Sequence, residues 1–366
     1  MKKRVSEKEF SLNRIPVSRY LLFVLFDIFL YFIYRVCINP SGLLESDDLF
    51  YYDLAVETIN AGYSPLIHLY DLNRAIVTII QFLFELCSWS DPSVFVIPGV
   101  FVYWFAAFKL FKDSARINII ILFVLLFYPD LMYVRYHIFK DIILVSLIAL
   151  FFHYYENRQI LIALLAAFLC AFFRFYLFPL AVACIVLLDL RKFKAWHFMV
   201  VGIFVFAFMS TVDIFSIVSS SVSKETFASG GDYTVKRVAE SLGISNPLLL
   251  MPLVLLSFFL QPSPASIFPS DLDQIVPYSF LVTYFFLIPV IFFSFRKRKY
   301  LFEANPKTTK LILIFSILYV GTFAFDPVLA DMRHRAILIL PLLMLYYRAK
   351  MEDAKSRVCA HDMIKS

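Results

Sequence analysis

"YLLFVLFDIFLYFIYRV", residues 20 to 36, decides how the rest of the chain is read. A helix needs roughly 20 mostly apolar residues to cross the hydrocarbon core of a bilayer. This run has about 17, and no small-residue cleavage site follows it, so it reads as a retained first span rather than a signal peptide. Backbone inside lipid must satisfy its own hydrogen bonds, so the run is expected to be helical.

The composition generalises that reading. The 366 residues are 61% hydrophobic and only 17% charged, with 43 Phe and a mean hydropathy of +0.78. Such a chain is not a soluble globular domain; it fits a polytopic all-α membrane protein. Cys37, Cys87, Cys170, Cys184 and Cys359 show neither CxxC nor metal-ligand spacing, so no disulfide framework or zinc site is indicated. The net charge of +6 comes from Lys and Arg clustered between apolar runs. That is the positive-inside pattern, and no nucleic-acid partner is inferred from it.

Orientation follows from charge. The basic segment up to Arg19 places the N-terminus in the cytoplasm, and the acidic stretch 37–74 (Glu45, Asp47, Asp48, Asp53, Glu57, Asp71) is external. Four basic segments, 109–116, 190–196, 295–310 and the tail from Arg348, fall on the cytoplasmic side if 75–88 and 248–260 do not cross. Both are short and suit interfacial or re-entrant helices on the external side. The remaining runs, 20–36, 93–110, 117–134, 141–155, 159–173, 175–190, 196–213, 277–295, 311–325 and 335–347, give about 10 transmembrane helices with both termini cytoplasmic. The expectation is one membrane-embedded domain over 1–366. Gly is scarce, with eight, so close packing through small residues is not expected to dominate.

This threading gathers most of the remaining polar groups on the external side. In "DDLFYYDLAVETINAG" (47–62), Asp47, Tyr51, Leu54, Ala55 and Thr58 share one face of a helix. Asp47 is either an N-cap of a solvated loop or a carboxylate that takes a proton from an attacking hydroxyl. "VRYHIFKD" (134–141) sets Arg135, His137, Lys140 and Asp141 between two helices. Snorkelling would account for Arg135 and Lys140, and the helix dipole for Asp141. Arg174 is the lone charge in a turn between two apolar helices and needs an intramolecular partner or a phosphate. Arg333, His334 and Arg335 stack at the external mouth of the last span, against the orientation rule, so a compensating anion is expected there, with lipid phosphate favoured.

These residues resemble the GT-C superfamily of integral-membrane glycosyltransferases, which use polyprenyl-phosphate-linked sugars at the external face. The family's first external loop has an acidic pair, a Tyr four after the first acid and a Gly eleven after the Tyr; here these are Asp47, Asp48, Tyr51 and Gly62. "KLFKDSARINIIILFVLLFYPDL" (109–131) is similar to the family's basic turn and helix ending in Pro. "RYHIFKDIILVSLIALFFHYY" (135–155) is similar to its second external loop with an acid, here Asp141, and "MRHRAILILPLLML" (332–345) resembles its R-x-R with a following proline. The resemblance implies a GT-C-like core over about 20–215, C-terminal helices over 216–348 and a cytoplasmic tail, 349–366. In place of the soluble C-terminal domain that many members carry stands a basic tail, so acceptor recognition is expected from external loops or a partner.

The implied function is transfer of a sugar from a polyprenyl-phosphate carrier to a glycan or lipid-linked acceptor in surface polysaccharide assembly at a bacterial inner membrane, with inversion. Asp47 would be the base, with Asp48 beside it. Lys140, Arg174, Arg333 and Arg335 would bind the donor phosphate, supported by Tyr51, Arg135, His137, Asp141 and His334. No cofactor is assigned; a divalent cation at Asp48 is an open alternative. Two rival readings are an O-antigen or capsule repeat-unit polymerase, expected to have large Arg-rich external loops, and a lipid-linked oligosaccharide flippase or transporter. The latter is expected to hold ionisable groups at the bilayer midplane, whereas the charges here are read as lying near one surface.

Overall fold

A computed structural model describes residues 17–37, 39–41, 46–64, 75–111, 119–138, 140–174, 176–189, 285, 288–304, 306–322 and 332–365. All regular structure among them is helical: α1 (Val17–Cys37), α2 (Ser46–Asn60), α3 (Ala75–Cys87), α4 (Ser93–Phe111), α5 (Ile119–Phe127), α6 (Pro129–Tyr136), α7 (Lys140–Glu156), α8 (Ile160–Ala171), α9 (Leu177–Asp189), α10 (Ile288–Arg296), α11 (Arg298–Ala304), α12 (Pro306–Thr322) and α13 (Met332–Lys365). The expected span 196–213, the re-entrant stretch 248–260 and the rest of 214–276 lie outside the described residues.

Residues 20–37 within α1, together with α4, are long and apolar enough to cross a membrane. The pair α6 and α7, together apolar and long enough but bent by 118°, is a third such stretch only if it forms one broken span rather than a re-entrant loop. Shorter apolar helices occupy 75–87, 160–171 and 177–188. The first of these is the segment expected not to cross, and at 13 residues it extends only about 20 Å.

The expected single span 117–134 is instead two helices, because of Pro129. Tyr128 is extended (φ −68°, ψ 122°), as the residue before a proline tends to be, and Pro129 opens α6 where its missing N–H costs nothing. The expected span 335–347 is likewise part of a longer helix: α13 runs unbroken through Lys365, taking the basic tail with it.

Helix α7 is the hub, packing against α4, α8 and α13, while α2 packs on α3 and α9 on α12. Small residues matter more than the glycine count implies. On α8, Ala163, Ala166, Ala167 and Cys170 are buried, and Leu161, Leu165 and Leu169 at four-residue spacing face outward. Alanine here gives the close backbone approach that glycine gives elsewhere, and the leucine stripe suits lipid.

Candidate functional site

The lone carboxylate of the first span, Asp27, is fully buried, and three side chains point at it. Arg135 Nε stands 3.1 Å from one carboxylate oxygen and Arg135 Nη2 donates to the other at 3.2 Å. Tyr136 OH and Trp104 Nε1 donate at 2.6 and 2.7 Å. Arg135 also donates to the carbonyls of Leu125 and Leu126, and Tyr103 OH donates to Leu125 at 3.0 Å. Those two carbonyls belong to the last turn of α5, which the break at Pro129 leaves without intrahelical partners. A single guanidinium thus closes the broken helix and neutralises Asp27, with the Tyr103 ring 4.8 Å beneath it.

Snorkelling is therefore not the role of Arg135, which is completely buried. Nor do the charges keep near one surface. Asp27 lies eight residues before Arg35 on α1, about 12 Å deeper along the helix.

Two more arginine–carboxylate pairs flank the α6–α7 bend. Arg335, near the start of α13, meets buried Asp130 in the first turn of α6, with Nη2 and Nε each 3.0 Å from a separate oxygen. The anion expected to compensate Arg335 is thus supplied by the chain. Arg174, in the turn between α8 and α9, donates to Asp141 at 2.7 Å and to Tyr176 OH at 3.1 Å. Asp141 does open a helix, as the dipole favours, but it also takes the intramolecular role left open for Arg174. Arg174 Nε remains buried without a hydrogen-bond partner among the described residues.

His137 sits in the bend itself, buried, with a ring nitrogen 2.9 Å from Tyr34 OH and the Tyr133 ring alongside. Lys140, at the start of α7, is half-buried. Near the C-terminal end of α1, Arg35 clamps Asp91 (3.1 Å), Ser93 Oγ (3.1 Å) and the Pro40 carbonyl (2.9 Å). Burial works against the Asp91 carboxylate, but hydrogen bonds from Ser93 and the Arg35 charge outweigh it and lower its pKa.

The acidic helix α2 begins at Ser46, with Asp47 and Asp48 in its first turn; their side chains lie outside the described residues, as do those of Arg333 and His334. Tyr51, Ala55 and Thr58 are buried and Leu54 half-buried, so the face expected from spacing is the one that packs. Gly62 has φ +69°, and the bonds from Gly62 N to Ile59 O (2.9 Å) and Tyr63 N to Thr58 O (3.1 Å) form a Schellman cap. That geometry is a local reason for glycine at this position.

At the other end of α7, Glu156 pairs with Arg348 of α13, and Lys297 meets Asp353 at 2.7 Å. Among the described residues no cluster of three or more metal-ligating side chains occurs.

Asp27, Asp130 and the Arg35–Asp91 clamp went unnoticed in the sequence reading. The signal for Asp27 was present: an ionisable residue inside an apolar run calls for a partner by default. Compared with known protein families, curated proteins and solved structures, the chain matches none.

Proposed function

We propose that the protein is a polytopic inner-membrane glycosyltransferase that moves a sugar from a polyprenyl-phosphate carrier to a glycan or lipid-linked acceptor at the external face. The proposed threading has about ten crossings and cytoplasmic termini. Asp47 removes the proton from the acceptor hydroxyl as it attacks the anomeric carbon, the lipid phosphate departs from the opposite side, and the configuration inverts. Asp48 lies beside it and, in the variant of the reading that uses a divalent cation, ligates that ion.

The observation that carries the reading is Arg174. Its guanidinium is charged, buried and pinned by Asp141, yet its Nε–H has no acceptor among the described residues. A buried donor left without an acceptor costs about 1–3 kcal/mol, and a phosphate oxygen is a strong acceptor for an arginine edge. Asp141 holds Arg174 in a fixed position, so the phosphate meets the edge that this carboxylate leaves open, and Arg335, paired with Asp130, adds its charge to the proposed site. Such preorganised charge stabilises a leaving phosphate without reorganisation during the reaction. Lys140 and Arg333 complete the proposed phosphate site.

The flippase reading gains one feature from the structure, an ion pair deep in the first span. Asp27 there meets two hydrogen-bond donors besides Arg135, an arrangement suited to holding helices rather than to releasing and rebinding a proton or cargo.

The test is incubation of the purified protein with a panel of polyprenyl-phosphate sugars and analysis of the product. One sugar should be transferred, and Asp47→Asn should lower turnover by about 100-fold or more while donor binding persists. Chain extension would favour the polymerase reading, and near-normal turnover by Asp47→Asn would leave this aspartate as a helix cap.

A further inference from the structure

Helix α3 buries one face and leaves the other apolar. Ile76, Val77, Ile80 and Phe84 are turned inward, whereas Phe82 (56%) and Leu86 (69%) are among its most exposed side chains. Trp89, just beyond the helix, continues that stripe and is 61% exposed. Its place is set by the backbone. Ser88 takes a left-handed conformation (φ 50°), with Ser88 N bonded to Glu85 O and Trp89 N to Phe84 O, both at 3.3 Å. This is a Schellman turn that folds the chain back at the helix end. A non-glycine residue in this conformation is strained, so the surroundings hold the turn in place.

The depth of Trp89 is fixed independently of α3. Two residues on, Asp91 is clamped by Arg35 near the end of the first span-length helix, and Ser93 begins the second. Trp89 therefore lies level with the ends of two helices long enough to cross a bilayer. Tryptophan is enriched at that level, where an amphipathic ring meets both acyl chains and headgroups.

We infer that Phe82, Leu86 and Trp89 form a membrane-surface anchor that inserts into the external leaflet at the boundary between headgroups and acyl chains, with α3 lying along the surface. The occupant of this face is lipid. Helix α3 is too short to span, carries exposed Glu85 beside the stripe, and packs on α2, so the anchor fixes the height of the acidic helix above the bilayer. The inference rests on the membrane placement alone and stands or falls apart from the transferase reading.

Tryptophan quenching tests it. Wild type and Trp89→Phe are reconstituted in phosphatidylcholine vesicles whose acyl chains carry bromine at a shallow or a deep position, and the difference between the two proteins isolates Trp89 from Trp104 and Trp196. Shallow bromines should remove the Trp89 emission more strongly than deep ones, and aqueous iodide should remove little. Stronger quenching by deep bromines would mean a re-entrant helix; quenching by iodide alone would place the face in water; protection from all three would mean a protein covers it. Each of these outcomes overturns the anchor. Should Trp89→Phe not fold, Phe82→Trp in the otherwise unchanged chain adds a reporter on the same stripe, read against wild type with the same quenchers.

Discussion

The two ends of α7 are built from the same chemistry in different surroundings. Around its first turn, Asp141 and Asp130 meet Arg174 and Arg335, each carboxylate at most 2% exposed and each arginine at most 10%. At its last turn Glu156 meets Arg348, and there the carboxylate is 30% exposed. The separation from Asp141 to Glu156 along the helix is about 22 Å, less than the roughly 30 Å of a hydrocarbon core. Burial separates the two ends: both members of each pair at the Asp141 end are nearly dry, whereas the Glu156 carboxylate is open to solvent. A charge held at the Asp141 end needs its partner, while at the other end the Glu156 carboxylate, though not Arg348, has water to fall back on. The Asp141 end is thus the place where losing a partner, or gaining an anionic ligand, has the larger energetic consequence.

The sharpest way to break this contrast is at its deepest member. Asp27→Ala leaves Arg135 charged and buried, and it also releases Tyr136 and Trp104 from their acceptor. Breaking one partner of a buried pair typically costs about 3–5 kcal/mol. A large fall in the melting temperature of the detergent-solubilised protein is the expected result. An unchanged melting temperature would mean that water reaches Arg135 and that the buried end is not the drier one.

A smaller effect is expected at the Arg35–Asp91 clamp, which lies between the two extremes with side chains 16% and 24% exposed. The Asp91 pKa is lowered in the folded protein, so the clamp stabilises fully above the ordinary carboxylate pKa of about 4 and is lost as pH falls through the depressed value. Asp91→Asn should therefore lower the melting temperature at neutral pH, and the gap to wild type should close as the pH is taken below 4. A gap that stays constant with pH would assign the effect to the amide substitution rather than to charge.

How much of this was legible beforehand depends on the range of the interaction. The ends of α1, α4 and α7 follow from apolar run length, and the buried face of α2 follows from three- and four-residue spacing; both are local properties of the chain. Pro129 is equally local, yet the apolar run through it masked the break. The pairings were not legible, because Asp27 and Arg135 are 108 residues apart and Asp130 and Arg335 are 205 apart. Sequence reading could say that Arg174 and Arg335 each need an anion; only the packing of α6, α7 and α13 names Asp141 and Asp130 as candidates within reach. Asp47 was legible as a candidate from its surroundings, and chemistry at that position is a matter for turnover rather than for the fold.

The least disruptive test is at the Glu156 end, where the contrast predicts the smaller effect. Glu156→Gln removes the charge but keeps the shape, leaving Arg348 of α13 as its neighbour. Glu156 is partly exposed but Arg348 is only 10% exposed, with both Nη atoms buried, so the loss should fall between that of a surface pair and that of Asp27→Ala. Helix α13 continues past Arg348, and Lys297 and Asp353 tie α13 to the segment after α10, so the substitution does not leave the helix end loose. The melting temperature should therefore fall by less than with Asp27→Ala, and added salt should reduce the difference further. If Glu156→Gln proved as damaging as Asp27→Ala, Arg348 would be as dry as Arg135. The difference between the two ends of α7 would then reflect geometry rather than solvent.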